Sequence, residues 1–189
     1  MTASETFEAT SQVTPYLSSV LSFVDSHVRF AEAKNSALLA ANAIAAVTGL
    51  TILTGKDPHQ IWVEVYLANL VGFFLLSALV TLLSFLPRTE IPWLHRNGKR
   101  DSRDDLMFFG HIQKYTPDEY LAALCARIDP SYTVGYVDVS YARQVVVNSR
   151  IASQKFTYFR YAMWLTVCGM VSPLIAAFIY HWLKTSDTF

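Results

Sequence analysis

The sequence predicts an all-α membrane protein with three transmembrane helices, the first and third continuing as long helices into a small cytoplasmic helical domain. The composition supports this prediction, because 52% of the 189 residues are hydrophobic and only 16% are charged. The charges also lie outside three long uncharged runs. Three such runs in so short a chain are more than the polar remainder could bury in a soluble core.

The three uncharged runs define the candidate spans. Residues 35–55, 65–87 and 161–180 contain 21, 23 and 20 residues without Asp, Glu, Lys or Arg. Each run can cross roughly 30 Å of hydrocarbon at about 1.5 Å per residue. Tryptophan is enriched at membrane interfaces, so we extend the third span to Trp182 and define it as residues 161–182.

The distribution of basic residues predicts the orientation of these spans. The segment 88–160 contains eleven Lys and Arg residues, whereas the segment 56–64 contains one Lys. The positive-inside rule therefore places residues 88–160 and the N-terminal segment 1–34 in the cytoplasm. Residues 56–64 then form an outer loop, and residues 183–189 form an outer tail.

The first long helix is predicted from a start signal and an apolar stripe. Thr14 is suited to cap a helix that begins at Pro15, and apolar residues recur at helical spacing from Leu17 to Ala31. Nothing interrupts the pattern before the first span. We therefore predict one helix from about Pro15 to about Thr54.

A second start signal lies in the sequence TPDEY. Thr116 is placed to cap, Pro117 is the first helical residue, and Glu119 completes a capping box. The helix should end near Ile128, before Asp129-Pro130, because a residue that precedes proline avoids the helical region.

The third long helix is expected to start near Ser131 and to enter the membrane directly as the third span. An approximate apolar stripe supports it, and no proline interrupts residues 131–172. The alternative is a short strand, because YTVGYVDVSY alternates over a few residues. Residues 86–105 contain two prolines, a glycine and mixed charges, which predicts a loop.

Motifs for metal binding and catalysis are not evident. The two cysteines are far apart, and His27 and His111 share the predicted cytoplasmic side without a spacing typical of a metal site. The three spans contain no acidic residue, which disfavours an enzyme acting within the bilayer. The formal net charge of zero argues against nucleic-acid binding. We therefore predict a protein that is not an enzyme and needs no cofactor.

Basic residues near the predicted inner membrane face allow two interpretations. The first is ordinary interfacial positioning of long side chains and a topology signal. The second is an anion site, in which Arg and Lys bind a small phosphate ligand. The residues concerned include Arg29, Lys34, Arg150 and Lys155.

Several spaced segments resemble the transmembrane effector of Pycsar anti-phage systems. They are VRFAEAKNSALLAANA at the first span, LMFFGHIQKYTPDEYLAAL, and QVVVNSRIASQKFTYFRYAMWL leading into the third span, together with a second span that ends in proline. The resemblance covers roughly residues 24–180.

The resemblance implies a function and a location. A companion cyclase makes cyclic UMP or cyclic CMP on infection, and the effector senses it in the bacterial inner membrane. It then impairs that membrane and causes abortive infection. A homo-oligomer is expected, with the lipid bilayer and the cyclic nucleotide as partners. The alternative is a nucleotide-independent membrane scaffold or an anchor for a partner enzyme.

The ligand-binding residues are predicted on chemical grounds. Arg29, Lys34, Arg150 and Lys155 would neutralise the single negative charge of a cyclic monophosphate, and Phe109 could stack on the pyrimidine.

The segment FFGHI is expected to form a short helix or turn that packs over the first and third long helices. Its aromatic residues should pack, and Gly110 should allow a close approach. His111, the sixth predicted site residue, should form a hydrogen bond with an acidic or backbone group.

Overall fold

The computed structural model describes residues 12–55, 60–86, 99–101 and 103–186. Within these ranges every regular element is a helix, and no strand is present. The helices are α1 (Val13–Leu53), α2 (Ile61–Leu83), α3 (Phe109–Ile112), α4 (Pro117–Ile128) and α5 (Tyr136–Ser186). Three of them, α1, α2 and α5, are long and apolar enough to cross a membrane, which confirms the all-α fold class with three candidate spans. The cytoplasmic placement of the helical domain stays a prediction.

The chain divides into two compact units. Unit 1 comprises the described residues of Met1–Ala31 and Arg88–Lys155, and unit 2 those of Glu32–Pro87 and Phe156–Phe189. Both α1 and α5 contribute residues to each unit without a break. The membrane limits at 35–55, 65–87 and 161–182 stay predictions. Parts of the predicted outer loop, inner loop and tail (56–59, 87–98, 102 and 187–189) lie outside the described residues.

The start of α1 differs from the prediction. The helix begins at Val13, and the Tyr16 N–H donates to the Gln12 carbonyl oxygen at 3.1 Å, so Thr14 lies inside the first turn and does not cap it. The Thr14 hydroxyl instead donates to Asp138 Oδ1 at 2.6 Å. Thr14, which the local sequence pattern predicted to be a helix cap, therefore joins α1 to the start of α5 through a hydrogen bond.

The helix α4 has the predicted limits and caps. The Thr116 hydroxyl accepts the Glu119 N–H at 3.3 Å, and the Glu119 carboxylate accepts the Thr116 N–H at 2.9 Å. Pro117 is the first helical residue and Ile128 is the last. The following Asp129 is extended, at φ −152° and ψ 99°, as expected for a residue before proline. The predicted capping box is confirmed.

The helix α5 begins at Tyr136, five residues later than predicted, and the strand alternative is wrong. Asp138 is the cause, because its Oδ2 accepts the Gly135 N–H at 2.9 Å and the Tyr132 hydroxyl at 2.6 Å. These bonds hold the residues before the helix in a non-helical conformation and cap its first turn. Pro173 lies inside the helix, which continues to Ser186.

The core of unit 1 is built from the apolar faces of α1, α4 and α5, closed by α3 and the segment before it. Tyr120 is fully buried, and its hydroxyl donates to the Leu106 carbonyl oxygen at 2.9 Å. Burial raises the pKa of Tyr120 far above its ordinary value. The buried core residues are Val13, Leu17, Val20, Val24, Leu106, Ile112, Tyr115, Tyr120, Leu121, Leu124, Ala142, Val145 and Val146.

Candidate functional site

Five aromatic rings form a continuous chain on unit 1, which we call the aromatic cluster: Phe23, His27, Phe109, Phe108 and His111. Successive ring centroids lie 4.6, 5.1, 4.8 and 5.3 Å apart. Phe23 and Phe108 are 44% and 43% exposed, and the other three rings are half-buried. The cluster therefore presents aromatic faces and imidazole nitrogens together at the surface of the unit, where a flat ligand could stack.

Two local features assemble the aromatic cluster. On α1, Phe23 and His27 are four residues apart, so their rings meet on one helix face. At α3, a Cβ on Gly110 would come within 2.5 Å of the Phe108 ring, so the glycine lets that ring fold over the backbone. The short helix predicted for FFGHI is confirmed. It contacts α1 through the ring pair of His27 and Phe109.

His111 is fixed by contacts on both ring nitrogens. Nδ1 accepts the Asp105 N–H at 2.9 Å, which confirms the predicted hydrogen bond to a backbone group. Nε2 lies 4.0 Å from Asp104 Oδ1. Because Nδ1 is an acceptor, the proton of the imidazole is on Nε2 and faces the carboxylate. Within the described residues, no group of three or more His, Cys, Asp and Glu is arranged to hold a metal ion.

A buried ion pair supports the segment beneath His111. The Asp104 side chain is 3% exposed, and its carboxylate accepts Lys114 Nζ at 2.6 Å, the Asp101 N–H at 3.0 Å and the Tyr115 hydroxyl at 3.3 Å. Burial opposes the charged form of Asp104, but the Lys114 bond, the Asp101 N–H and the charge of Lys114 outweigh it and lower the pKa. Asp104 is therefore a charged structural anchor at neutral pH.

Arg150 connects α5 to the turn that follows α3. Its Nη2 donates to the Tyr115 carbonyl oxygen at 2.9 Å, and its Nε reaches the Gln113 carbonyl oxygen at 3.5 Å. Carbonyl groups at the end of a helix lack partners within it, so these bonds satisfy acceptors that would otherwise be exposed. The structure thus gives Arg150 a contact that positions α3 relative to α5.

The predicted site residues fall into two groups. Phe109, His111 and Arg150 all belong to α3 or contact the turn after it. The other three are basic residues that the structure does not place in that group. Arg29 is exposed on α1 and Lys155 is half-buried on α5, both in unit 1, whereas Lys34 belongs to unit 2, where its Nζ lies 5.6 Å from the Phe159 ring centroid.

The sequence interpretation missed two parts of this site. Phe23 and His27 complete the aromatic cluster, and their spacing of four on a predicted helix was a usable signal. Asp104 and Lys114 were not distinguishable from solvated charges, because they are ten positions apart with a short helix between them.

Unit 2 contains a polar cluster of Asn42, Ser77 and Thr166, one residue from each candidate span, in which Asn42 and Ser77 are buried and Thr166 is half-buried. Asn42 Nδ2 donates to Ser77 Oγ at 2.8 Å, and the Thr166 hydroxyl donates to Asn42 Oδ1 at 3.0 Å. Ser77 Oγ also donates to the Ala162 carbonyl oxygen at 2.7 Å. Hydrogen bonds of this kind hold helices together where lipid offers no alternative partner. The polar cluster therefore ties the three spans to one another.

Three apolar helices long enough to cross a membrane, together with a helical unit that carries an exposed aromatic cluster, define the class of this chain as a membrane protein. The model of a family described as the Pycsar effector protein domain matches residues 16–182. The chain therefore belongs to the Pycsar effector family, which gives it the role of an anti-phage defence effector.

A curated relative agrees with this assignment. The chain is 28% identical over 164 residues to the Pycsar effector protein RsPycTM of a Rhizobium species, covering 82% of this chain and 89% of the relative. No solved structure matches the chain.

Proposed function

We propose that this chain is an inner-membrane effector activated by a cyclic pyrimidine mononucleotide, cyclic UMP or cyclic CMP, and that activation impairs the membrane and causes abortive infection. The family supports the effector role. The proposed step from ligand binding to membrane impairment is supported by one observation: α1 and α5 are unbroken helices with residues in both units. A rigid helix whose one end is shifted by a ligand moves its other end among the spans.

The aromatic cluster is the proposed base-binding surface. Stacking of a base on an aromatic ring contributes about 1–3 kcal/mol and tolerates any base, so Phe108 and Phe109 supply affinity. The imidazole of His27 supplies a hydrogen bond to the pyrimidine edge, and the ring of His111 supplies a further stacking face. Because His111 is already oriented by Asp105, its binding of ligand costs little further ordering.

The phosphate needs a cation. We assign this role first to Arg29, which is exposed on α1 two residues beyond His27, and second to Lys155. Arg150 acts mainly by holding α3 in place. Lys34 is the weakest candidate, because it belongs to unit 2 and lies beside Phe159.

The energy required of the ligand is modest. Shifting a two-state equilibrium from 1:99 to 99:1 needs a preference of about 10⁴-fold, or about 5.5 kcal/mol, for one state. Stacking of the single base contributes about 1–3 kcal/mol, and one charge-assisted hydrogen bond to the phosphate contributes about 1.5–3 kcal/mol. The upper ends of these ranges together reach that value if both interactions form in only one state.

The remaining parts of the proposal concern topology and chemistry. The N-terminus and residues 88–160 are cytoplasmic, where the companion cyclase releases the nucleotide. The protein turns over no substrate and uses no cofactor beyond the activating ligand. The alternative is a nucleotide-independent scaffold, which the exposed aromatic cluster also suits, since such surfaces bind proteins.

A binding measurement separates the two proposals. Purified protein in micelles should bind cyclic UMP or cyclic CMP more tightly than cyclic AMP or cyclic GMP, as measured by thermal shift and by titration calorimetry. Phe109→Ala should weaken binding at least about fivefold through lost stacking, and His111→Ala should also weaken it. Tyr136→Ala, which alters an 88% exposed aromatic residue outside the cluster, should not. If the folded protein binds neither pyrimidine nucleotide, the proposal of nucleotide activation is contradicted and the scaffold function is favoured.

A further inference from the structure

His111 organises residues 104–115, which we call the α3 segment. Its Nδ1 accepts the Asp105 N–H at 2.9 Å, and the Asp105 carboxylate in turn accepts the Met107 N–H at 2.8 Å. These two bonds fix the backbone on the N-terminal side of Phe108, whose ring meets the His111 ring edge to face with centroids 5.3 Å apart. The imidazole therefore supports the turn that places Phe108 in the aromatic cluster.

The hydrogen bond from Asp105 requires a neutral imidazole. In the imidazolium form both ring nitrogens carry a proton, so neither orientation of the ring offers an acceptor to the Asp105 N–H. Histidine is the side chain whose charge ordinarily changes between about pH 5 and pH 8. The His111 side chain is 37% exposed, so protons reach it from solvent. Acidification therefore removes the acceptor on which this turn depends.

The charges around the α3 segment do not compensate for that loss. Asp104 Oδ1 lies 4.0 Å from His111 Nε2, but the same oxygen already accepts Lys114 Nζ at 2.6 Å. Arg127 and Arg150 add two more cations, which donate to backbone carbonyl oxygens of the segment at 2.8 and 2.9 Å. Charged groups and imidazoles reach the segment from each element packed against it: Asp104 and Asp105 within it, Lys114 after α3, His27 on α1, Arg127 on α4 and Arg150 on α5.

We propose that His111 is a pH-dependent switch, which keeps the aromatic cluster assembled while its imidazole is neutral and lets Phe108 leave the cluster when the imidazole is protonated. The bond from Asp105 stabilises the closed form above the range in which the ring titrates, and this stabilisation is lost as the pH falls through that range. Any flat ligand that stacks on the cluster should therefore bind more weakly in acid. The switch uses contacts within unit 1 alone, so it does not depend on the proposed nucleotide activation.

Amide exchange at Asp105 is the direct readout of the switch. Full-length protein in micelles, without nucleotide and with isotope-labelled aspartate, is followed by NMR from about pH 7.5 to about pH 5.5. The protection of the Asp105 amide, taken relative to its intrinsic exchange rate at each pH, should fall about threefold to tenfold through the loss of one hydrogen bond. Asp104 stays ionised over this range because its pKa is lowered, so its ion pair with Lys114 does not contribute to the change.

Two variants separate His111 from the other imidazole of the aromatic cluster. In His111→Asn the amide oxygen takes the place of Nδ1, since both atoms are bonded to Cγ, and it accepts the Asp105 N–H without titrating. The protection of the Asp105 amide in His111→Asn should therefore stay constant over the same pH range. His27→Asn should show the same fall in protection as the wild type.

The nitrogen chemical shifts of the wild-type imidazole give a second result that requires no variant. Nδ1 of His111 should gain its proton over the pH range in which the protection of the Asp105 amide falls. The proposal is overturned if wild-type protection is constant with pH, or if Nδ1 gains its proton while the Asp105 amide stays protected. It is also overturned if His111→Asn loses protection on acidification as the wild type does, or if His27→Asn abolishes the fall.

Discussion

Lys114→Met should lower the free energy of unfolding of unit 1 by about 3 kcal/mol, because it leaves the buried Asp104 carboxylate without its cation. The pair is well shielded, with side-chain exposures of 17% for Lys114 and 3% for Asp104 and an N–O distance of 2.6 Å. The remaining donors to Asp104 are a backbone N–H and a hydroxyl, which carry no net charge. Hydrogen exchange of unit 1 amides, followed by mass spectrometry in micelles, measures the loss.

The pH dependence of this loss identifies its cause. Because the folded protein lowers the pKa of Asp104, the stabilisation is fully present above the ordinary carboxyl value and disappears as the pH falls through the lowered pKa. The difference between wild type and Lys114→Met should therefore shrink on acidification from pH 7 to pH 3. Arg103→Met, at an exposed neighbouring position, should have little effect at any pH. Equal effects of the two substitutions would contradict the proposed role of the ion pair.

Gly169→Ala should destabilise unit 2 by about 1–3 kcal/mol through overpacking. The added methyl would lie 2.6 Å from Phe73 Cβ and 3.3 Å from Phe73 Cγ. A Cβ atom cannot rotate away, so α5 and α2 would have to separate. That movement would also weaken the hydrogen bond from Ser77 to the Ala162 carbonyl oxygen. Denaturant titration in micelles, followed by tryptophan fluorescence, measures the loss.

Two further glycines provide graded controls. Gly49→Ala should cost less than Gly169→Ala, because the nearest atom at 2.7 Å is the end of the Val71 side chain. Gly72→Ala should cost nothing within one chain, since no described atom lies within 4 Å of its Cβ. A different order of stabilities would mean that α2 and α5 do not pack as described.

Most of the fold followed from sequence because hydrophobicity and capping act locally. The three uncharged runs, the box formed by Thr116 and Glu119, and the extended Asp129 needed only neighbouring residues for their interpretation. The error at the start of α1 has a tertiary cause. Thr14 and Asp138 are 124 residues apart, and their hydrogen bond uses a hydroxyl that the local pattern assigned to a cap. Tertiary contacts of this kind override local propensity.

The candidate site was only partly predictable for the same reason. Charge and aromatic character indicated Phe109, His111 and Arg150, which are grouped in the structure. Sequence could not indicate that Arg150 would bond to the carbonyl oxygen of Tyr115, or that His27 would meet Phe109 across 82 positions of the chain. The phosphate-binding roles of Arg29, Lys34 and Lys155 stay predictions.

Release of a trapped dye from proteoliposomes is the most direct measurement of nucleotide-gated membrane damage. Purified protein, shown to be folded and inserted, should release the dye when cyclic UMP or cyclic CMP is added, and much less when cyclic AMP or cyclic GMP is added. Phe109→Ala should shift the response to higher nucleotide concentration. Dye retained at saturating concentrations of both pyrimidine nucleotides would contradict direct activation of this protein by such a ligand.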